Sequence, residues 1–276
     1  MATGEHDEED LTRKERREAA RSQRKAAEEA ELARAKRRTR LTQLGIVAVI
    51  VVVAIVVIAI TASSGGKSSS ISHDKAEASG KTAEVSALLN GIPQSGNTLG
   101  NPNAPVTLVY FGDLQCPICK EFTLGALPTI IQKYVRAGKL KIEYKSLETA
   151  TREPETFKQQ QIAALAAGKQ KRAWNYIELF YHEQGQEDSG YVTEEYLQKL
   201  ARGVPGLNIP VWTEDRKDPT LENQITTDAQ LANNEGFNGT PSFLIGKSGG
   251  KLEKLGETSL TDPSGFEAAI ESKLKG

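Results

Sequence analysis

The hydrophobic pattern divides the chain into unlike parts. From Leu44 to Ala62 the sequence LGIVAVIVVVAIVVIAITA carries no charge, and its length is what a helix needs to cross a hydrocarbon layer of roughly 30 Å. It predicts a transmembrane helix over 41–62. A cleavable signal peptide fits less well, because the run exceeds the usual apolar region of about 7–15 residues and lacks a small-x-small cleavage site. Residues 1–40 before it are almost all charged or small and cannot build a core. Arg34, Lys36, Arg37, Arg38 and Arg40 precede the apolar run and only Lys67 follows closely. The positive-inside rule therefore predicts a cytoplasmic amino-terminal tail, a single-pass signal-anchor in the cell membrane, and an extracytoplasmic remainder.

Residues 63–95 begin with a Gly/Ser run, SSGGKSSS, and are expected to form a flexible linker. From 96 to 276 the pattern alternates between strand-like and helix-like segments, the signature of an α/β domain. Val106 to Phe111, VTLVYF, reads as a strand buried on both faces. Pro117 to Ala137 carries Phe122, Leu127, Ile130, Ile131 and Tyr134 at helical spacing, with Pro128 expected to bend the helix and Gly138 to close it. Leu140 to Leu147 alternates as a second strand. The next strand is delayed by a helical insertion over about 150–236, with helices expected at Phe157–Gly168, Ala173–His182, Glu194–Arg202 and Leu221–Glu235. Pro241 to Ile245 and Lys251 to Leu255 flank a turn and predict a hairpin. Asp262 and Pro263 open a last helix, Phe266–Leu274.

Composition narrows the function. With 35 Lys and Arg against 36 Asp and Glu, no overall field draws the protein onto nucleic acid. His6, His73 and His182 are scattered, and the two cysteines share one short loop, so no metal site has the required ligand spacing. The aromatic set Trp174, Tyr176, Phe180 and Tyr181 stands at helical spacing and is expected to be core rather than a ligand platform.

The chemistry concentrates at Cys116-Pro117-Ile118-Cys119, just after a buried strand and at the start of a helix. A thiolate at a helix N-terminus meets free backbone N–H groups and the positive end of the macrodipole, so its pKa falls and it becomes a nucleophile at neutral pH. Cys116 is expected to be that sulfur and to face solvent. Cys119, one turn further in, is expected to be buried and to resolve a mixed disulfide. A purely structural bridge is the alternative, but so short a loop constrains the unfolded chain little.

The segment VTLVYFGDLQCPICKEF, the long helical insertion and the later Gly239-Thr240-Pro241-Ser242-Phe243 together resemble the DsbA-like branch of the thioredoxin superfamily, especially its membrane-anchored bacterial members. The likeness runs from about residue 96 to the end. It implies a thioredoxin-like α/β fold, a cis Thr240–Pro241 bond beside the cysteines, and Thr240 backbone groups that hold an extended substrate. It implies a protein thiol–disulfide oxidoreductase that introduces disulfides into exported proteins, needs no organic or metal cofactor, and is reoxidised by a quinone-linked membrane partner. Asp113, three residues before Cys116, occupies a place where similar proteins often carry an acid that tunes the pair; a solvated loop aspartate is the alternative. Two positions depart from the pattern. Tyr110 stands where a buried glutamate is common, and Ile118 where the strongest oxidants have histidine. The motif leaves the direction open, so a reductase of the exported compartment remains a second reading and a tethered binding module a third.

Overall fold

A computed structural model describes residues 72–275, with side chains from Gly80 onward. The charged tail and the apolar run Leu44–Ala62 lie outside the described residues. Among those described, no helix is long and apolar enough to cross a membrane.

The chain runs through α1 (Ser72–Leu89), β1 (Gln94–Ser95), β2 (Thr98–Leu99), β3 (Val106–Gly112), α2 (Pro117–Leu124), α3 (Ala126–Ile130) and a π-helical turn, Ile131–Val135. It continues through β4 (Leu140–Ser146), α4 (Pro154–Lys169), α5 (Ala173–His182), α6 (Glu194–Gly203), α7 (Ile209–Asp215) and α8 (Pro219–Asn234). It closes with β5 (Ser242–Lys247), β6 (Glu253–Lys254) and α9 (Ser264–Lys275). The strands form one sheet in the order β1-β2-β4-β3-β5-β6. β3 pairs in parallel with β4, from Val106 opposite Leu140 to Gly112 opposite Ser146, and antiparallel with β5.

Every residue of β3 is buried, as an apolar run covered on both faces requires. On one face Tyr110 stacks on Phe243, and Phe122 of α2 and Phe266 of α9 close around them, with ring centroids 4.8 to 5.5 Å apart. On the other face Val109, Phe111 and Leu244 pack with Ala232 of α8. This two-sided cover fixes the carboxyl end of β3, from which the cysteine loop leaves.

The helix after the cysteines does not bend at Pro128. It breaks at Gly125, whose Cβ, if present, would lie 2.6 Å from the Glu121 carbonyl and 2.8 Å from that of Leu260. Pro128 sits in the first turn of α3, where its missing N–H costs no hydrogen bond.

Residues 63–95 are not a linker throughout. α1 occupies 72–89, Val85 and Leu89 are buried in the core, and Arg136 donates to the Leu88 and Asn90 carbonyls at its end. The small and polar residues that precede Val85 hide this helix from a reading by periodicity. β1, β2 and α7 are also additions to the expected elements. α7 is capped by Asn208, whose side chain accepts from Val211 N, and is anchored by the buried Trp212, whose indole donates to the Ala163 carbonyl at 2.8 Å.

Candidate active site

Cys116 stands at the N-cap of α2, in extended geometry, with Pro117 in the first turn. Proline there presets the helical φ and removes a donor that would have no partner. Cys119 lies one turn on, and its backbone N–H donates to Cys116 Sγ at 3.4 Å. Both cysteines are free thiols, so the site is in its dithiol form. Cys119 is fully buried. Cys116 is only 5 % exposed, which corrects the expectation of an open sulfur. The loop before Pro241 covers it, and the Cys116 thiol donates to the Thr240 carbonyl at 3.4 Å. Ile118, at 46 % exposed, is the outward member of the loop.

The two sulfurs are electrostatically unlike. The Cys116 thiol is pulled from its ordinary value near 9 down to about 6, chiefly by its hydrogen bond with the Cys119 side chain. Burial opposes the shift, and the Thr240 hydroxyl and the N–H groups of Cys119 and Ile118 reinforce it. Burial pushes the Cys119 thiol well up, and the neighbouring Cys116 adds to the rise. One sulfur is prepared to be a thiolate at neutral pH and the other to remain protonated.

Thr240–Pro241 is a cis peptide bond. It borders a groove of about 580 Å³ lined by Ile118, Phe237, Pro241, Phe243, Leu255 and Leu260 among others. On its other side Thr149 Oγ1 lies 2.5 Å from Thr240 Oγ1.

Asp113 is not a solvated loop residue. It is fully buried and accepts six hydrogen bonds. Oδ1 takes them from Gln115 N, Thr151 Oγ1 and Gln160 Nε2, and Oδ2 from the successive amides of Thr149, Ala150 and Thr151. The carboxylate thus ties the cysteine loop to the segment after β4. Gln184 holds the same loop from the helical insertion, its Nε2 donating to the carbonyls of Leu114 and Cys116. Tyr110 donates to Tyr181 and Tyr181 to the Asp113 carbonyl, each at 3.1 Å, so hydroxyls occupy the layer where a glutamate is common in similar chains. Thr149, Thr151, Gln160 and Gln184 had no sequence signal, because each acts through a partner far away along the chain. Trp174, Tyr176, Phe180 and Tyr181 are fully buried, the core placement their spacing implied. Among the described residues, no group of three or more His, Cys, Asp and Glu is arranged to hold a metal ion.

The thioredoxin family model matches residues 94–268. Disulfide bond formation protein D of Bacillus subtilis is 25 % identical over 71 % of this chain and 86 % of its own length, and a probable disulfide bond formation protein D of Bacillus anthracis is 24 % identical over 69 % and 88 %. Among solved structures, oxidised BdbD from Bacillus subtilis has a TM-score of 0.56 at 24 % identity, covering 67 % of this chain and 97 % of its own. The α-DsbA1 of Wolbachia pipientis has a TM-score of 0.54 at 20 % identity, covering 69 % and 96 %. These likenesses show the fold. With the matched family and a dithiol at the helix N-terminus, the chain belongs to the thioredoxin family and is a DsbA-like thiol–disulfide oxidoreductase.

Proposed function

We propose that this oxidoreductase works outside the cytoplasm as an oxidase that passes the Cys116–Cys119 disulfide to cysteines of exported proteins. The observation that carries the reading is the asymmetry of the two sulfurs, with Cys116 drawn down to about 6 and Cys119 pushed up. A substrate thiolate attacks Cys116 Sγ of the disulfide. The S–S bond breaks, and Cys119 leaves and takes up a proton, as its raised pKa favours. A second substrate thiolate then attacks the substrate sulfur of the mixed disulfide and expels Cys116 as a stable thiolate. The substrate loses two electrons and the enzyme gains them. Stabilising the thiolate favours the reduced enzyme and so raises its oxidising power, which supports the oxidase over the reductase reading.

Pro117 starts the helix that stabilises the thiolate, while Ile118 and the groove beside Pro241 offer an apolar surface to an extended substrate. Thr240 contributes backbone groups, and Asp113 holds the loop. The helix expected at 41–62 would anchor the domain with the tail 1–40 in the cytoplasm, and a quinone-linked membrane partner would reoxidise the dithiol. The names of the Bacillus relatives support disulfide formation as the direction.

The test is transfer. The oxidised domain, added in equimolar amount to a reduced, unfolded protein with two cysteines, is expected to oxidise the substrate and become reduced itself. Retention of the enzyme disulfide would exclude the oxidase. Location is tested by protease added to intact cells, which should remove the domain; its protection would contradict the export.

A further inference from the structure

Thr149, exposed at the surface after β4, meets the redox site through both its backbone and its side chain. Its amide donates to Asp113 Oδ2 at 3.1 Å, so its position is set by the carboxylate that also binds Gln115 N in the cysteine loop. Its hydroxyl lies 2.5 Å from that of Thr240, whose carbonyl in turn accepts from the Cys116 thiol. A hydroxyl carries one hydrogen to give. If Thr240 gave its hydrogen to Thr149, it would have none for a sulfur. If Thr149 is the donor, the Thr240 hydrogen is free.

We infer that Thr149 is a positioning residue of the redox site: it donates to Thr240, leaves the Thr240 hydroxyl to serve the Cys116 sulfur, and holds the cis-proline loop in register with the cysteine loop. The Thr240 hydroxyl contributes to lowering the Cys116 thiol, which requires it to donate towards sulfur and so makes Thr149 the donor in the pair. A donor chain of this kind also polarises its last member and strengthens the final bond. Two loops separated by the whole helical insertion are thereby coupled to the thiolate.

The inference rests on Cys116 being the attacking sulfur, and its test reads the sulfur rather than turnover. Reduced full-length protein is alkylated with iodoacetamide across pH, and the labelled cysteine is identified by mass spectrometry. Thr149→Val should raise the midpoint of Cys116 labelling by about half a pH unit, the size expected from weakening one hydrogen bond. Thr149→Ser, which keeps the hydroxyl, should match the parent. In a Thr240→Val background the Thr149→Val change should have no further effect. Urea unfolding of each variant establishes that it is folded. An unchanged or lowered midpoint in Thr149→Val, or an equal rise in the Thr240→Val background, would overturn the role of Thr149. Labelling of Cys119 ahead of Cys116 in the parent would instead overturn the functional reading beneath it.

Discussion

Thr151 is bonded twice to Asp113, its amide to Oδ2 at 2.9 Å and its hydroxyl to Oδ1 at 2.7 Å. With four further donors around the same carboxylate, the loop before Cys116 and the segment after β4 share one anchor. Asp113→Ala leaves buried amides and the Gln160 side chain without their acceptor, and is expected to cost about 3 to 5 kcal/mol. Urea unfolding of the dithiol form checks this. A loss below about 1 kcal/mol would mean that solvent replaces the carboxylate readily.

The roles of the cysteines predict different trapping. Cys119→Ser removes the internal sulfur that releases a mixed disulfide, so Cys116 should accumulate covalent complexes with exported substrates that collapse on reduction. Cys116→Ser should trap little, because Cys119 is fully buried and holds its proton. Non-reducing electrophoresis of both variants decides the matter. Trapping by Cys116→Ser alone would reverse the assignment.

The shifted thiol also predicts how stability depends on pH. In the reduced protein the folded Cys116 has lost its proton above about pH 6, whereas an unfolded cysteine keeps one until about 9. The unfolded state therefore binds more protons between these values, and the contribution of Cys116 grows with rising pH and is lost as pH falls towards 6. Glu178 runs the other way. It is fully buried, and burial raises its carboxyl from 4.5 to about 8, so its contribution falls as pH rises through that window. Unfolding of the reduced parent, Cys116→Ser and Glu178→Gln from pH 5 to 9 should separate the two slopes. Cys116→Ser should lose the rising component, and Glu178→Gln the falling one. Parallel profiles for all three would contradict both assignments.

The redox loop was legible because strand, loop and helix are local patterns: VTLVYF reads as buried, and Cys116 with Pro117 marks a helix start. The Thr240–Pro241 placement came only through resemblance, since nothing local specifies a cis bond. The supporting set was hidden for a different reason. Asp113 to Thr151 spans 38 positions and Gln184 to Cys116 spans 68, and bonds between a side chain and distant backbone leave no periodicity to read. Gly125 took the break expected of Pro128 because the close approach of the Leu260 backbone, a tertiary contact, permits only a hydrogen there. α1 was missed because its apolar residues gather in its last turns.

The central claim, that this dithiol is poised to give its disulfide away, is tested most directly by its equilibrium reduction potential against glutathione. Thioredoxin stands near about −270 mV and the strongest DsbA oxidant near about −120 mV, with thiol pKa values near about 7 and 3.5. A Cys116 thiol drawn down to about 6, without a histidine at Ile118, predicts a potential between those two, at about −220 mV or less negative. A value near −270 mV or below, on the order of a reductant's, would contradict the oxidase and favour the reverse flow of electrons.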